Sequence, residues 1–193
     1  TTPSRRFMTG LTYEELTTNE PFKPLTVSIK RHAGRNSAGR VSVRHQGGGV
    51  KRLYRVVDFK FDKKDIPARV ETIEYDPYRT AFIALVCYKD GERRYVLAHT
   101  EMKVGDTIIT SDTAKPVAGN RIKIGNIPTG LMVHNVEMIV GKGATTIRSA
   151  GAYATVISQE GEYTQVKMPS GEIRLVHKEC SATIGVISNI DWN

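Results

Sequence analysis

From Tyr54 onward the apolar residues of this chain come in short runs, and turn residues close nearly every one. Such a chain cannot build long helices, because no apolar stripe of period 3.6 lasts long enough. It reads instead as strands, at 54–61, 69–75, 81–88 and 93–99. The last two are joined by Lys89-Asp90-Gly91-Glu92, whose Asp-Gly pair is a strong hairpin signal. Val104-Gly105-Asp106 turns the chain into a fifth strand that ends at Ile109. Five closely spaced strands over residues 56–112 predict a small barrel of the OB type. Residues 113–130, with Pro116, Gly119, Gly125, Pro128 and Gly130, read as a connector. A second series at 132–140, 154–159, 163–169 and 172–177 carries two hairpin loops around Gly161 and Gly171. It predicts an SH3-like barrel over 131–193. The fold class is therefore all-β, two barrels in succession.

The first 55 residues are built differently. Thr12-Tyr13-Glu14-Glu15 has the form of a capping box and predicts a short helix ending near Asn19. Segment 25–55 then mixes five glycines with Arg, Lys, His, Ser and Asn, and holds too few large apolar residues to fold alone. It is expected to be an extended, mobile arm, separable from the barrels, so that removing residues 1–60 leaves them folded.

Charge says what the arm is for. Residues 1–60 hold twelve Lys and Arg against four Asp and Glu, whereas residues 61–193 balance sixteen against sixteen. The whole excess of +8 sits in the first third, and Asp58 is the one acid between Lys23 and Lys60. A basic arm on a neutral body points to a polyanion. Arg5, Arg6, Lys30, Arg31, Arg35, Arg40, Arg44, Lys51, Arg52 and Arg55 can each neutralise a phosphate, and His32 and His45 can donate to one. Asn36, Ser37, Ser42 and Gln46 are neutral donors and acceptors for 2′-hydroxyls and base edges. The run Gly47-Gly48-Gly49 among these cations gives up side chains where another backbone must come close or where φ must be positive.

Other chemistries find no footing. Gly48-Gly49-Val50-Lys51 is followed by Arg52, and Gly143 lacks a following Lys, so neither stretch is a P-loop. Thr146 breaks the dinucleotide pattern that begins at Gly141. The five histidines show no metal-ligand spacing, and His134 alternates with Val133 and Val136 as a structural residue would. Glu71 and Glu74 lie three apart on a strand and face opposite sides. Cys87 and Cys180 form no CxxC pair and read as free thiols. No apolar run approaches the roughly 20 residues of a membrane span. No enzyme, metal, cofactor, small-molecule substrate or membrane partner is expected. On the body, Arg79 follows the turn Tyr75-Asp76-Pro77-Tyr78, with Asp76 as an alternative ion-pair partner. Arg148 precedes Ser149-Ala150-Gly151-Ala152-Tyr153, where small residues permit close approach and Tyr153 can stack on a base.

Four stretches together carry a resemblance: GRNSAGRVSVRHQGGGVKRLYRVVDF at 34–59, IPARVETIEYDPYRTAFIALVCYKDGERRYVLA at 66–98, NIPTGLMVHNVEM at 126–138 and GKGATTIRSAGAYA at 141–154. In this order they resemble the bacterial-type family of large-subunit ribosomal protein two. The resemblance implies an OB-like and an SH3-like barrel with an N-terminal extension threaded into large-subunit ribosomal RNA. The glycine run would lie against RNA backbone, and Arg79 and Arg148 would touch RNA near the junction of the barrels. Lys142 and Ser149, in the last matched stretch, are expected to join them. Neighbouring ribosomal proteins are implied partners, and the ribosome, cytoplasmic or organellar, is the implied location. Members of the family continue into a glycine-rich, histidine-containing basic tail, whereas this sequence stops at Ile190-Asp191-Trp192-Asn193. The tail is expected to be missing, so no role at the peptidyl-transferase centre is carried over. A free OB-type module for single-stranded nucleic acid is the alternative. It would stack bases on aromatics, which are sparse here, with Phe59, Phe61, Phe82 and Tyr88 reading as core. An RNA-modifying enzyme or nuclease is the rival from another class.

Overall fold

Twelve short strands, two single-turn 3-10 helices at Lys23–Leu25 and Ile124–Asn126, and one turn of α-helix (α1, Pro3–Arg6) make up the computed structural model, which describes residues 2–192. In chain order the strands are β1 (Thr26–Ser28), β2 (Leu53–Arg55), β3 (Ala68–Glu74), β4 (Ile83–Tyr88), β5 (Arg93–Leu97) and β6 (Thr107–Ile108). There follow β7 (Arg121–Lys123), β8 (Met132–His134), β9 (Ala154–Glu160), β10 (Tyr163–Lys167), β11 (Ile173–His177) and β12 (Ser181–Ile184). The architecture is all-β, an OB-like barrel followed by an SH3-like barrel.

The first barrel is the antiparallel sheet β5-β4-β3-β6. Strand β4 is its spine and reads IALVCY because both its faces are covered. Ala84 and Val86 face one cluster with Phe61, Val70, Phe82, Tyr88 and Val96. Ile83 and Leu85 face another with Val57, Tyr95 and Leu97, and Phe22 and Leu25 from the root of the arm pack onto it. The arm is therefore part of this barrel's wall at its two ends. The Tyr95 hydroxyl fastens it there, donating to Glu74 Oε2 at 2.6 Å while accepting from the Phe22 amide at 2.7 Å. Burial beside Glu74 raises the Tyr95 pKa and keeps the phenol protonated. Glu71, on the other side of β3, pairs with Arg93 through two contacts of 2.7 and 3.0 Å.

The second barrel is a six-stranded antiparallel sheet in the order β11-β10-β9-β8-β12-β7, around Ile122, Val133, Val156, Val166, Val176 and Ala182. Its edge strand β7 comes from the stretch that the sequence suggests is a connector. The strand expected at 132–140 is shorter, because Asn135 takes φ +50° and bends the chain out of β8. The helix expected over 12–19 does not form. Tyr13, where its first turn would lie, has φ +57°, and Thr17 pairs instead with β3, its amide donating to the Ile73 carbonyl and its hydroxyl accepting from the Ile73 amide. Pairing with a sheet edge outweighs a capping box worth about 1 kcal/mol.

The barrels interpenetrate. Ala144 of the second sits in the first barrel's cluster, its amide donating to the Phe59 carbonyl at 2.7 Å, and Ile187 sits in the other. Arg121 on β7 is buried, and its guanidinium donates to the carbonyls of Asn135 (2.7 Å) and Ser181 (3.3 Å). It lies 4.4 Å from the centre of the Phe61 ring in the first barrel. Desolvation lowers its pKa to about 10, so it stays charged at neutral pH.

Candidate nucleic-acid interface

Strands β1 and β2 form an antiparallel ladder with Thr26 opposite Arg55, Val27 opposite Tyr54 and Ser28 opposite Leu53. The ladder holds out a loop, residues 29–52, with seven Lys and Arg and no Asp or Glu. Within it the chain reverses twice. At the first reversal the Gly34 carbonyl accepts the amides of Ser42 and Val43, and Asn36 closes a turn, its Oδ1 accepting from the Arg40 amide at 3.0 Å. A β-carbon on Gly34 would stand 2.0 Å from the Val43 carbonyl oxygen, so only glycine fits. The second reversal is the glycine run. Gly47, Gly48 and Gly49 have φ of +100°, +75° and +74°, three consecutive residues in a region that side chains disfavour. Arg31 braces this turn from inside, donating to the carbonyls of Gly48 and Val50, both at 2.9 Å.

Lys30, Arg31, His32, Arg35, Asn36, Arg40, Arg44, His45, Lys51 and Arg52 are all exposed, and none of the loop's cations has a carboxylate partner among the described residues. Arg5 and Arg6 are exposed on α1, with no hydrogen bond or ion pair to the loop. Arg55 departs from the expectation: it is buried at the foot of β2, its Nη1 donating to the Leu53 carbonyl at 2.8 Å. It lies at the root of the loop and not on its exposed track. The alternation of β2 turns it inward, and composition alone could not register that.

At that root a second group assembles from three parts of the chain. Arg79 makes an ion pair with the buried carboxylate of Asp76 and donates to the Tyr54 hydroxyl at 3.0 Å. Its guanidinium carbon lies 5.2 Å from the Tyr54 ring centre and 5.5 Å from that of Phe59. Arg148, exposed on the second barrel, approaches the same Phe59 ring at 4.8 Å. Hydrogen bonds between side chains and backbone tie the arrangement, the Ala150 amide donating to the Thr80 hydroxyl and Arg52 Nη1 to the Pro77 carbonyl. The structure thus brings Arg79 and Arg148 onto Phe59, with Arg52 tied to the turn that precedes Arg79. Cation–π contacts of about 0.5–1 kcal/mol orient both guanidiniums. Asp76, the alternative partner noted in the sequence, compensates the charge of Arg79, whereas Arg148 has no carboxylate partner among the described residues. Lys142 and Ser149 are exposed close by in sequence to these contacts, Lys142 in the turn that abuts the Phe59 carbonyl through Gly143. Tyr153 is 42% exposed, which leaves its ring open to stacking. Phe59 was missed as a functional residue, because by type it reads as core. Only its place directly after the cationic segment hints at a platform.

His134 is wholly buried with Nδ1 3.0 Å from the Gly185 carbonyl, a structural residue as the strand alternation suggests. Among the described residues no group of three or more His, Cys, Asp or Glu is placed to hold a metal ion, and no helix is long and apolar enough to cross a membrane. Cys87 and Cys180 are free thiols. The arrangement can bind anions over a long exposed track and hold them at one rigid cluster.

Comparison with protein families gives two matches in succession. The model described as Ribosomal Proteins L2, RNA binding N-terminal domain, matches residues 22–110. The model described as Ribosomal Proteins L2, C-terminal domain, matches residues 117–193.

Proposed function

The chain belongs to the ribosomal protein L2 family, and from that premise we propose that it is a structural constituent of the large ribosomal subunit. It is a ribosomal protein that binds RNA; the finer reading is that its RNA is large-subunit ribosomal RNA, and that it supports subunit assembly and translation among neighbouring ribosomal proteins. The loop 29–52 threads along RNA backbone, its glycine turn lets that backbone approach, and the Arg52–Arg79–Arg148 cluster docks a phosphate at the junction of the barrels. We assign it no reaction. It neutralises and positions folded RNA, and its place is the ribosome.

The single observation behind this reading is the loop itself: seven exposed cations and no acid, held out from a neutral body by β1 and β2. A free single-strand binder is less well supported, because Phe61, Phe82 and Tyr88 are buried in the first barrel rather than offered to bases. The test is binding of the chain to large-subunit ribosomal RNA across salt, with an unstructured RNA as competitor. With about seven phosphates contacted, affinity should fall roughly a thousandfold or more between 50 and 200 mM salt. Binding that resists the competitor supports the proposal, and complete displacement sinks it in favour of a general polyanion binder.

A further inference from the structure

Beyond Arg148 and Ser149 the second barrel carries an open slot of about 270 Å³, lined by Tyr153, Thr155, Lys167, Met168, Pro169 and Gly171 among others. Its walls follow from strand register. Ala154 and Val156 point into the core, so Tyr153 and Thr155 face outward, and Lys167 stands opposite Thr155 across the β9–β10 ladder. The far wall is the turn after β10, closed by the Met168 amide on the Glu172 carbonyl (2.8 Å) and the Gly171 amide on the Met168 carbonyl (2.9 Å). The near wall is fixed as firmly, since the Gly151 amide donates to the Ser188 carbonyl and the Ile187 amide to that of Ala152.

Three features favour one kind of occupant. The Tyr153 ring is exposed, and among the described residues its hydroxyl makes no hydrogen bond that would hold it elsewhere. No Asp or Glu lines the slot, and Lys167 at its rim has no carboxylate partner among the described residues, Glu172 being paired with Arg174 at 3.0 Å. The slot also continues the segment that carries Arg148, so a strand docked at the junction reaches it next. An aromatic face, apolar walls and a single unpaired cation match a base with its phosphate. We infer that the slot receives one unpaired base of the bound RNA, stacked on Tyr153 against Met168 and Pro169, with its phosphate on Lys167. The inference rests on the RNA-binding reading and extends it, giving the second barrel a base contact of its own beside the phosphate track of the loop.

Stacking and charge separate in a salt titration of the whole chain with large-subunit ribosomal RNA. Tyr153→Leu should weaken binding roughly 5- to 150-fold at every salt concentration, with the salt slope unchanged. Tyr153→Phe should bind as the native chain does. Lys167→Gln should instead lower the slope by roughly 0.7–0.9. Heparin, which is polyanionic but has no bases, should bind the native chain and Tyr153→Leu alike. Should Tyr153→Leu melt early, crosslinking of the native chain to RNA carrying 4-thiouridine decides, and a nucleotide must then appear on the peptide holding Tyr153 or Met168. Native rRNA affinity in Tyr153→Leu overturns the inference, whether a peptide or nothing fills the slot, and so does crosslinking that spares both peptides. If the native chain itself fails to bind the RNA, the RNA-binding reading falls with it, and the two failures are told apart.

Discussion

Gly48 isolates what the glycine run contributes. A β-carbon there would meet nothing within 4 Å, whereas at Gly47 it would stand 2.8 Å from the Ala33 β-carbon. Space inside the protein is thus no reason for glycine at 48, which leaves its φ of +75° and the approach of RNA. The two reasons predict different mutants. A β-branched residue in the left-handed region costs about 1–2 kcal/mol, and asparagine tolerates that region better. If conformation is the requirement, Gly48→Val weakens rRNA binding roughly 5- to 30-fold and Gly48→Asn much less. If RNA lies against the bare backbone, both variants weaken alike. Neither touches the core, so both should melt with the native chain. Unchanged affinity in Gly48→Val would remove the glycine turn from the interface.

At the scale of elements, the ladder β1–β2 separates what the loop does from what its root does. Ser28 and Leu53 are partners across the ladder, so residues 29–52 can be replaced by an Asn-Gly hairpin turn without disturbing Phe22, Leu25 or Val57. That chain should keep its melting temperature within a few degrees and lose roughly 5–6 from the salt slope of rRNA binding, close to the seven charges removed. A loss of folding would show that the loop itself supports the barrel. Removal of residues 1–60, which the sequence suggests is harmless, should instead destabilise, because it strips Phe22, Leu25, Val57 and Phe59 from the cluster around Ile83, Leu85 and Tyr95. The reason for that difference also explains what sequence could and could not say. Strands β3, β4, β5 and the β9–β10–β11 meander are legible because short apolar runs and the glycine turns that close them, at Gly91, Gly161 and Gly171, are local signals. Strands β1, β7 and β12 have three or four residues each and exist through pairing with distant partners, so nothing local announces them. The exposed cations of the loop were legible as charge without counter-charge. The inward turn of Arg55 and the placing of Arg79 and Arg148 on Phe59 depend on register and on the meeting of two barrels, which composition does not encode.

The whole molecule should behave as one cooperative unit, and its histidines provide a way to see it. Phe61, Val96 and Met102 of the first barrel meet His134, Asn135 and Thr183 of the second around a space of only about 10 Å³, with His99 between them. No counter-ion can follow a proton into that junction. Desolvation pushes the His134 pKa down to about 4, the Gly185 carbonyl opposing and the charges of His99 and Arg121 assisting. The folded protein therefore holds this imidazole neutral, while the unfolded chain protonates it near pH 6.5. Stability from this group is complete above pH 6.5, declines as the pH falls toward 4, and is level below that. The loss over the window is about 3 kcal/mol. The barrels share Ala144, Ile187 and the Arg121–Phe61 contact, so the cost should fall on both together. Calorimetry at a series of pH values should show one transition whose melting temperature drops between pH 6.5 and 4, and His134→Gln should flatten that dependence. Two transitions, only one of them pH-sensitive, would mean that the barrels fold separately and that the platform behind the Phe59 cluster is not rigid.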